Sequence, residues 1–459
     1  MKIVVPHSDL LFEKACAAVS LLRKHGFESY FAGGCVRDLI MGRSPIDYDI
    51  ATAAKPEDVT EIFKKTVTVG AAFGVVVVIF EGFTFEVATF RNDNNYIDGR
   101  RPESVTFSTA REDVLRRDFT INGLLLDPET GNVFDYIDGI KDIERRVIRA
   151  IGDPAKRFGE DQLRILRAIR FAARLDFSID PETWDSICCC PERIRNVSWE
   201  RVRDEIEKTI TNRGAGKGLR LLKESGLLEI VLPEVKALDG VEQNPEFHPE
   251  GDCLEHTIRA FESNENWPLE PILAWALLFH DTGKKDAFTI NNSKITFYCH
   301  ESIGSKLTEK ALFSLRLSRN AISDISSLVA DHMKLMHISQ MKDSSVKRLM
   351  GRDLKSAPDL EREYFRLLCE LNRLDNLNSP EKLSDYFLAL ERMKAIPVGE
   401  EKPAPLLSGD DILSMGVPQG PAIGKILKLL MEGQLDGRII DKESAEAFAR
   451  AIINGTGDQ

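Results

Sequence analysis

Two acids one residue apart, Asp47 and Asp49 in PIDYDIAT, follow the glycine-bearing string GGCVRD at 33–38. Acids at i and i+2 of a strand point to one face, an arrangement that holds one or two Mg²⁺ ions against a triphosphate. Glycines let backbone N–H groups approach phosphate oxygens, and Arg37 on the opening helical turn can neutralise them. A third acid, Glu86 in TFEVATF, can complete the carboxylate cluster. A D-x-D pair alone also suits a solvated turn, so its neighbours decide its weight.

A second group is cationic: RRDFTIN at 116–122 and EDQLRILRAIRFAAR at 160–174. Arg164, Arg167 and Arg174, with Arg170 beside them, line one face of an expected helix, and Leu163, Leu166, Ile169 and Ala173 take the other. Such a face suits phosphate and base contact or plain solvation. Asp161 and Arg164, three apart on that helix, set an acceptor beside a donor. Cytosine and adenine both show an amine beside a ring-nitrogen acceptor, so one Asp/Arg pair can accept either; guanine and uracil place a carbonyl where the amine would be. A third group is scattered: His256 in CLEHT, His280 and Asp281 in LLFHDTGK, His300 in FYCHES and His332 in DHM. The adjacent His-Asp pair at the end of an apolar helix, with a histidine upstream, can converge on one divalent cation, though a lone histidine of this kind is often a core residue.

In order, GGCVRD with IDYDIAT, RRDFTIN, EDQLR and SWERVRDEI at 198–206 resemble the motifs of class II tRNA nucleotidyltransferases (CCA-adding enzymes) and bacterial poly(A) polymerases. The resemblance implies Asp47 and Asp49 as catalytic Mg²⁺ ligands, and Gly34, Arg37 and Arg117 at the triphosphate and ribose. It also implies Asp161 with Arg164 as the protein template for the incoming base, and Arg167 and Arg170 as further nucleotide contacts. TFRNDNNYIDGRRPESVTF at 89–107 is similar to the flexible loop of members that complete CCA. LLFHDTGK resembles the HD phosphohydrolases, which implies His256, His280, Asp281 and Asp375 as ligands of a divalent transition metal. His300 and His332 can support a second metal or bind phosphate. The expected chemistry there is attack of a metal-activated water on a phosphoester.

These groups need elements to position them. Residues 9–26 read as a helix closed by Gly26, and ESYFAGGCVRDLIMG as strand, glycine turn and helix. VVVVIF at 75–80 and TFEVATF at 84–90 flank EGF as a hairpin, and the polar stretch RNDNNYIDGRRPESVTF reads as a mobile loop. Helical periodicity dominates from about residue 141 onward, with boundaries at NPEFHPEGD (244–252) and GEEKPAPLLSGDD (399–411). The expected fold is α+β: a nucleotidyltransferase head with a small mixed β-sheet at 1–150, a helical neck and body at 151–243, an HD domain at 244–395 and a helical tail at 396–459.

Composition bounds this reading. The 459 residues are 43% hydrophobic and 29% charged, ordinary for a soluble chain, and no apolar run approaches the ~20 residues that cross a bilayer. The N-terminus lacks signal-peptide features and the eight cysteines are dispersed without a C-x-x-C pair, so a cytoplasmic protein with reduced thiols and no membrane partner is expected. The net charge of −12 excludes indiscriminate coating of nucleic acid. Lys141–Arg174 nevertheless holds ten Lys/Arg against five Asp/Glu, a local excess of +5.

The expected activity is template-independent addition of C and/or A to tRNA 3′ ends from CTP and ATP, with release of pyrophosphate, beside an HD hydrolase. Rivals are an A-adding enzyme, a poly(A) polymerase, an HD phosphohydrolase with a non-catalytic RNA-binding head, and a non-catalytic scaffold. The last two leave clustered metal acids without a use.

Overall fold

The computed structural model describes residues 1–3, 10–67, 74–96, 102–244, 251–291, 294–378 and 383–454. Its backbone divides into two compact units, Met1–Pro233 and Glu234–Gln459. The first unit runs α1 (Leu10–Lys24), β1 (Ser29–Ala32), α2 (Gly34–Ile40), β2 (Asp49–Thr52), α3 (Pro56–Ile62), β3 (Thr66–Val67), β4 (Val75–Phe80), β5 (Phe83–Thr89), β6 (Arg91–Tyr96), β7 (Pro102–Phe107), α4 (Ala110–Leu115), β8 (Leu124–Leu126) and β9 (Val133–Asp135). It continues through α5 (Gly139–Arg145), β10 (Val147–Ile148), α6 (Pro154–Glu160), α7 (Leu163–Leu175), β11 (Ser178–Ile179), α8 (Pro181–Cys189), α9 (Trp199–Ile210), α10 (Ala215–Glu224) and α11 (Leu227–Val231).

Seven strands form one sheet in the order β3-β4-β5-β2-β1-β8-β9. Within this sheet only β2 and β5 pair in parallel among the described residues, so the sheet is mixed, as expected. Strand period two sorts its faces. Phe31 and Tyr48 pack with Phe12 of α1 at ring separations of 5.1–5.8 Å, while Ala32, Ala51 and Leu125 pack on the opposite face under Ala110 and Val114 of α4. Burying one such aromatic contributes roughly 1.5–3 kcal/mol. The 75–80 and 83–89 hairpin forms as its apolar runs and Gly-bearing turn imply.

The stretch read as a mobile loop is different: β6 and β7 make an antiparallel ribbon from Arg91↔Phe107 to Tyr96↔Pro102, with 97–101 outside the described residues. Asn- and Asp-rich composition reports solvation, whereas the Val-Thr-Phe end carries strand preference.

Along the chain, α12 (Pro233–Lys236) spans the boundary. The second unit holds α13 (Cys253–Glu262), α14 (Pro271–Phe279), α15 (Lys284–Ala287), β12 (Thr289–Asn291), β13 (Lys294–Thr296), α16 (His300–Ser314), α17 (Arg319–Asp331), α18 (Asp343–Met350), α19 (Glu363–Asp375) and α20 (Leu383–Ala395). Three last helices follow, α21 (Gly409–Ser414), α22 (Pro421–Leu435) and α23 (Lys442–Ile453), around their own cluster that includes Ile412, Leu430 and Ala449. The apolar α14 is buried from Leu273 to Phe279. Among the described residues no helix is long and apolar enough to cross a membrane. All eight cysteines are unpaired.

Candidate active site and metal cluster

Tyr48, buried against Phe12 and Phe31, turns its neighbours away from the α1 face. Asp49, the first residue of β2, therefore faces the α4 side of the sheet, with Asp47 just before the strand. The parallel register Ile50↔Val87 sets Glu86 level with Asp49 on the same face. All three acids line one cavity of about 920 Å³ together with Gly33, Gly34, Arg37 and Arg117. Gly33 takes φ +76, and a Cβ there would stand 3.2 Å from Arg117 Nη1 and 3.9 Å from Asp49 Oδ2. A side chain would fill the gap between acid and guanidinium. Burial first, then the charges of Asp47 and Glu86, push the Asp49 carboxyl up to about 6 against the pull of Arg117. Three carboxylate oxygen donors on one face, two of which raise the cost of ionising Asp49, suit a hard divalent cation, so the residues fit magnesium.

The expected continuous helix 160–174 is broken at the residue proposed to read the base. α6 ends at Glu160, and Asp161 is extended at φ −143, ψ 106. The cause is a competing cap: Asp161 Oδ1 accepts the Leu163 N–H at 3.1 Å, and Oδ2 accepts Arg201 Nη2 at 2.9 Å. Asp161 and Arg164 are therefore not neighbours on a helix face, although both line the cavity. Arg164 Nη1 reaches Glu160 Oε2 at 2.9 Å and Arg157 O at 3.1 Å, and its Nη2 reaches Arg116 O at 3.1 Å.

The arginine face is solvated only in part, with Arg174 exposed and Arg167 half-buried. Arg164 and Arg170 are only 8% and 7% exposed. Arg170 Nε donates to Glu205 Oε2 at 2.6 Å, and Arg167 grips Asp118 Oδ2 at 2.9 and 2.6 Å. Arg37 donates to Asp38 Oδ1 and to Asn122 Oδ1, the latter at 2.7 Å. Arg37, Arg167 and Arg170 surround the Phe171 ring at 5.6, 5.3 and 4.2 Å, within cation–π range. Sequence reasoning missed Phe171, Asp118, Asn122, Arg201 and Glu205 as site residues. A signal existed for the last two: their i, i+4 spacing in SWERVRDEI puts them on one face of α9.

In the second unit, His256, His280 and Asp375 bring ligand atoms within 4.8 Å of one another, and Asp281, His300 and His332 form a second such group. His280, His300 and His332 each point Nδ1 at the carbonyl three residues earlier, at 2.7, 2.9 and 2.6 Å. With Nδ1 donating, each neutral ring keeps its Nε2 lone pair for the cluster. Those lone pairs meet acceptors: His280 Nε2 is 3.3 Å from both Asp281 Oδ2 and Asp375 Oδ1, and His300 Nε2 is 3.2 Å from His332 Nε2. Burial disfavours a charged His280, yet Asp281 and Asp375 raise it to about 10, so the two acids draw positive charge to this point and a proton competes with a metal for the Nε2 lone pair. Burial, then His280 and His300, lower His332 to about 4. Acceptors facing acceptors in a buried cluster are the donor set of a divalent metal. Asp281 turns Oδ2 toward one group and Oδ1 toward His300 at 3.6 Å. Gly283 makes this possible, because a Cβ there would lie 2.0 Å from His300 O.

Comparison with known proteins adds to this geometry. Residues 29–149 match the poly A polymerase head domain, and 176–238 match the probable RNA- and SrmB-binding site of polymerase A. The chain is 43% identical over 432 residues to a CCA-adding enzyme of Geobacillus sp. (strain WCH70), spanning 93% of this chain and 94% of the relative. A 45% match to a CCA-adding enzyme of Bacillus licheniformis runs over 231 residues, half of this chain and 57% of that relative. The crystal structure of a Bacillus stearothermophilus CCA-adding enzyme in complex with CTP superposes at a TM-score of 0.74 with 26% identity, covering 97% of this chain and 99% of that one.

Proposed function

The chain belongs to the family of class II CCA-adding enzymes and bacterial poly(A) polymerases, and from that premise we propose that its first unit is a tRNA nucleotidyltransferase that builds a 3′-terminal CCA from CTP and ATP. One observation carries the reading: three carboxylates, the Gly33–Gly34 turn and the arginines of α7 line a single cavity. In the reaction a tRNA 3′-oxygen bonds to the α-phosphorus of the nucleotide, the bond from that phosphorus to the bridging oxygen breaks, and pyrophosphate leaves. Asp47, Asp49 and Glu86 would hold Mg²⁺, which when bound supplies charge neutralisation for the phosphates and lowers the cost of the attacking oxygen's charge. Arg117, against Gly33, offers its guanidinium to the triphosphate, and Arg37 stiffens the turn through Asp38 and Asn122. Asp161 and Arg164, held by Arg201 and Glu160, would pair with the amine and ring nitrogen shared by C and A.

The test offers tRNAs ending before the tail, after C and after CC, with each NTP singly, followed by 3′-end sequencing. Ordered C, C, A addition is expected. Addition of A alone to the CC end identifies an A-adding enzyme, and long A runs identify a poly(A) polymerase; either result overturns CCA synthesis.

The histidine cluster favours a second reading. His256, His280, Asp281 and Asp375 would hold a divalent transition metal, which when bound supplies Lewis acidity for hydrolysis of a phosphoester. The Nδ1 contact of His280 to Leu277 O fixes that ring for the role, and those of His300 and His332 fix the adjoining group. Purified protein should bind Mn²⁺, Co²⁺ or Ni²⁺ and hydrolyse bis-p-nitrophenyl phosphate or p-nitrophenyl phosphate. Neither binding nor hydrolysis with any of these metals would remove the reading.

A further inference from the structure

Asp113 belongs to no motif discussed above, yet it is a carboxylate only 1% exposed beside the cavity. Its Oδ1 accepts Arg116 Nε and Nη2 at 2.9 and 2.5 Å, and its Oδ2 accepts Arg117 Nε and Nη2 at 3.2 and 3.0 Å. Burial would raise its pKa, but the two guanidiniums outweigh that and hold it low. Both arginines line the cavity beside the acids. Like-charged guanidiniums on consecutive residues repel, and one shared carboxylate lets them stand side by side in fixed forks.

The same carboxylate reaches another element. Oδ1 also accepts the Arg91 N–H at 3.4 Å, and Arg116 Nε donates to Arg91 O at 3.0 Å. Arg91 opens β6, where the chain leaves the main sheet: Phe90 N–H still bonds Thr52 O at 2.7 Å, and Ser108 N–H closes the ribbon on Phe90 O at 3.0 Å. Thr109 then caps α4 through Glu112. Ribbon root, α4 and the two arginines are thus joined through one buried acid.

We propose that Asp113 is a positioning residue for triphosphate binding, setting Arg116 and Arg117 toward the phosphates and coupling them to the root of the β6–β7 ribbon. This rests on the cavity being the nucleotide site. Because Asp113 acts on phosphate contacts and not on the base, its loss weakens all nucleotides alike. By reciprocity, whatever the ribbon root contributes to phosphate affinity, phosphate contributes to ribbon order.

The test uses the full chain and Asp113→Asn, whose amide turns an N–H₂ toward one guanidinium. Inorganic tripolyphosphate serves as a probe without a base. Expected are KM for CTP and ATP and the inhibition constant of tripolyphosphate all rising together, on the order of tenfold. The preference for CTP and ATP over GTP and UTP stays unchanged. Tripolyphosphate should slow amide exchange in 91–96 and 102–107 in the unaltered chain and do so less in the variant. Asp113→Glu, which keeps the charge, should recover part of the affinity and stands in if the amide variant does not fold. A lower melting temperature with unchanged inhibition constant, or altered base preference, overturns the proposal. If tripolyphosphate fails to inhibit the unaltered chain, the nucleotide-site reading itself falls, and this proposal with it.

Discussion

At Asp161 the two carboxylate oxygens have separate partners, a backbone N–H two residues on and the Arg201 guanidinium forty residues away. On the proposed reading, Asp161→Asn weakens discrimination without inverting it, because the amide can present either end. One charged hydrogen bond is worth on the order of 1.5–3 kcal/mol, roughly ten- to a hundredfold in selectivity. Arg201→Ala should shift selectivity the same way from a position one residue removed from the base. Measuring kcat/KM for all four NTPs on a tRNA ending in CC decides this, and unchanged preference in both variants means the base is read elsewhere. Asp118 gives a stability prediction. Burial opposes its charge, but Arg167 and the Asn122 and Phe119 N–H groups hold its carboxyl down at about 2. A depressed carboxylate stabilises the fold above its unfolded pKa near 3.8 and loses that contribution as pH falls toward 2. Asp118→Asn should therefore cost about 2 kcal/mol at pH 7, with the gap to the unaltered chain narrowing below pH 4 in chemical denaturation. That Asp47 and Asp49 stand together beside the glycine turn was legible from types and spacing, whereas the contacts of Arg201 and Glu205 needed the partner helix in view.

Between residue and fold, the elements decide which spacings matter. D-Y-D works because Tyr48 has an aromatic pocket to enter, which leaves Asp49 on the face that Glu86 shares. The hairpin at 75–89 followed from two apolar runs flanking a short Gly-bearing turn, which needs only local pattern. The ribbon at 91–107 did not, since polar composition describes solvent contact and leaves backbone pairing open. Nor did the break between α6 and α7, which a distant arginine helps to fix. In the second unit, Gly283 lets α16 approach the His280–Asp281 turn until a Cβ would overlap His300 O and lie 2.6 Å from Gly304 N. Gly283→Ala should push α16 away and cost on the order of 1–3 kcal/mol, with His300 withdrawn from Asp281. Bound metal per chain, counted by mass spectrometry after loading, should fall. Unchanged metal content and melting temperature would mean that His300 is no part of the metal cluster.

For the molecule as a whole, the two constellations occupy different compact units, the carboxylate cavity within Met1–Pro233 and the histidine cluster within Glu234–Gln459. Asp281→Ala should abolish phosphoesterase activity and leave nucleotide addition within about twofold, and Asp47→Ala or Asp49→Ala should do the reverse while tRNA binding persists. Loss of addition in a folded Asp281 variant would refute separate sites. The sequence by itself determined the α+β class, the order of the motifs and the residue types of both clusters, because strand alternation, glycine turns and paired acids are properties of a few adjacent residues. Only the tertiary structure decided which cations are already committed to acids, that Asp161 sits in a kink, and that Asp113 joins two arginines to a ribbon. Those facts include contacts between residues 40 and 49 positions apart, and their geometry is set by packing that no local pattern encodes.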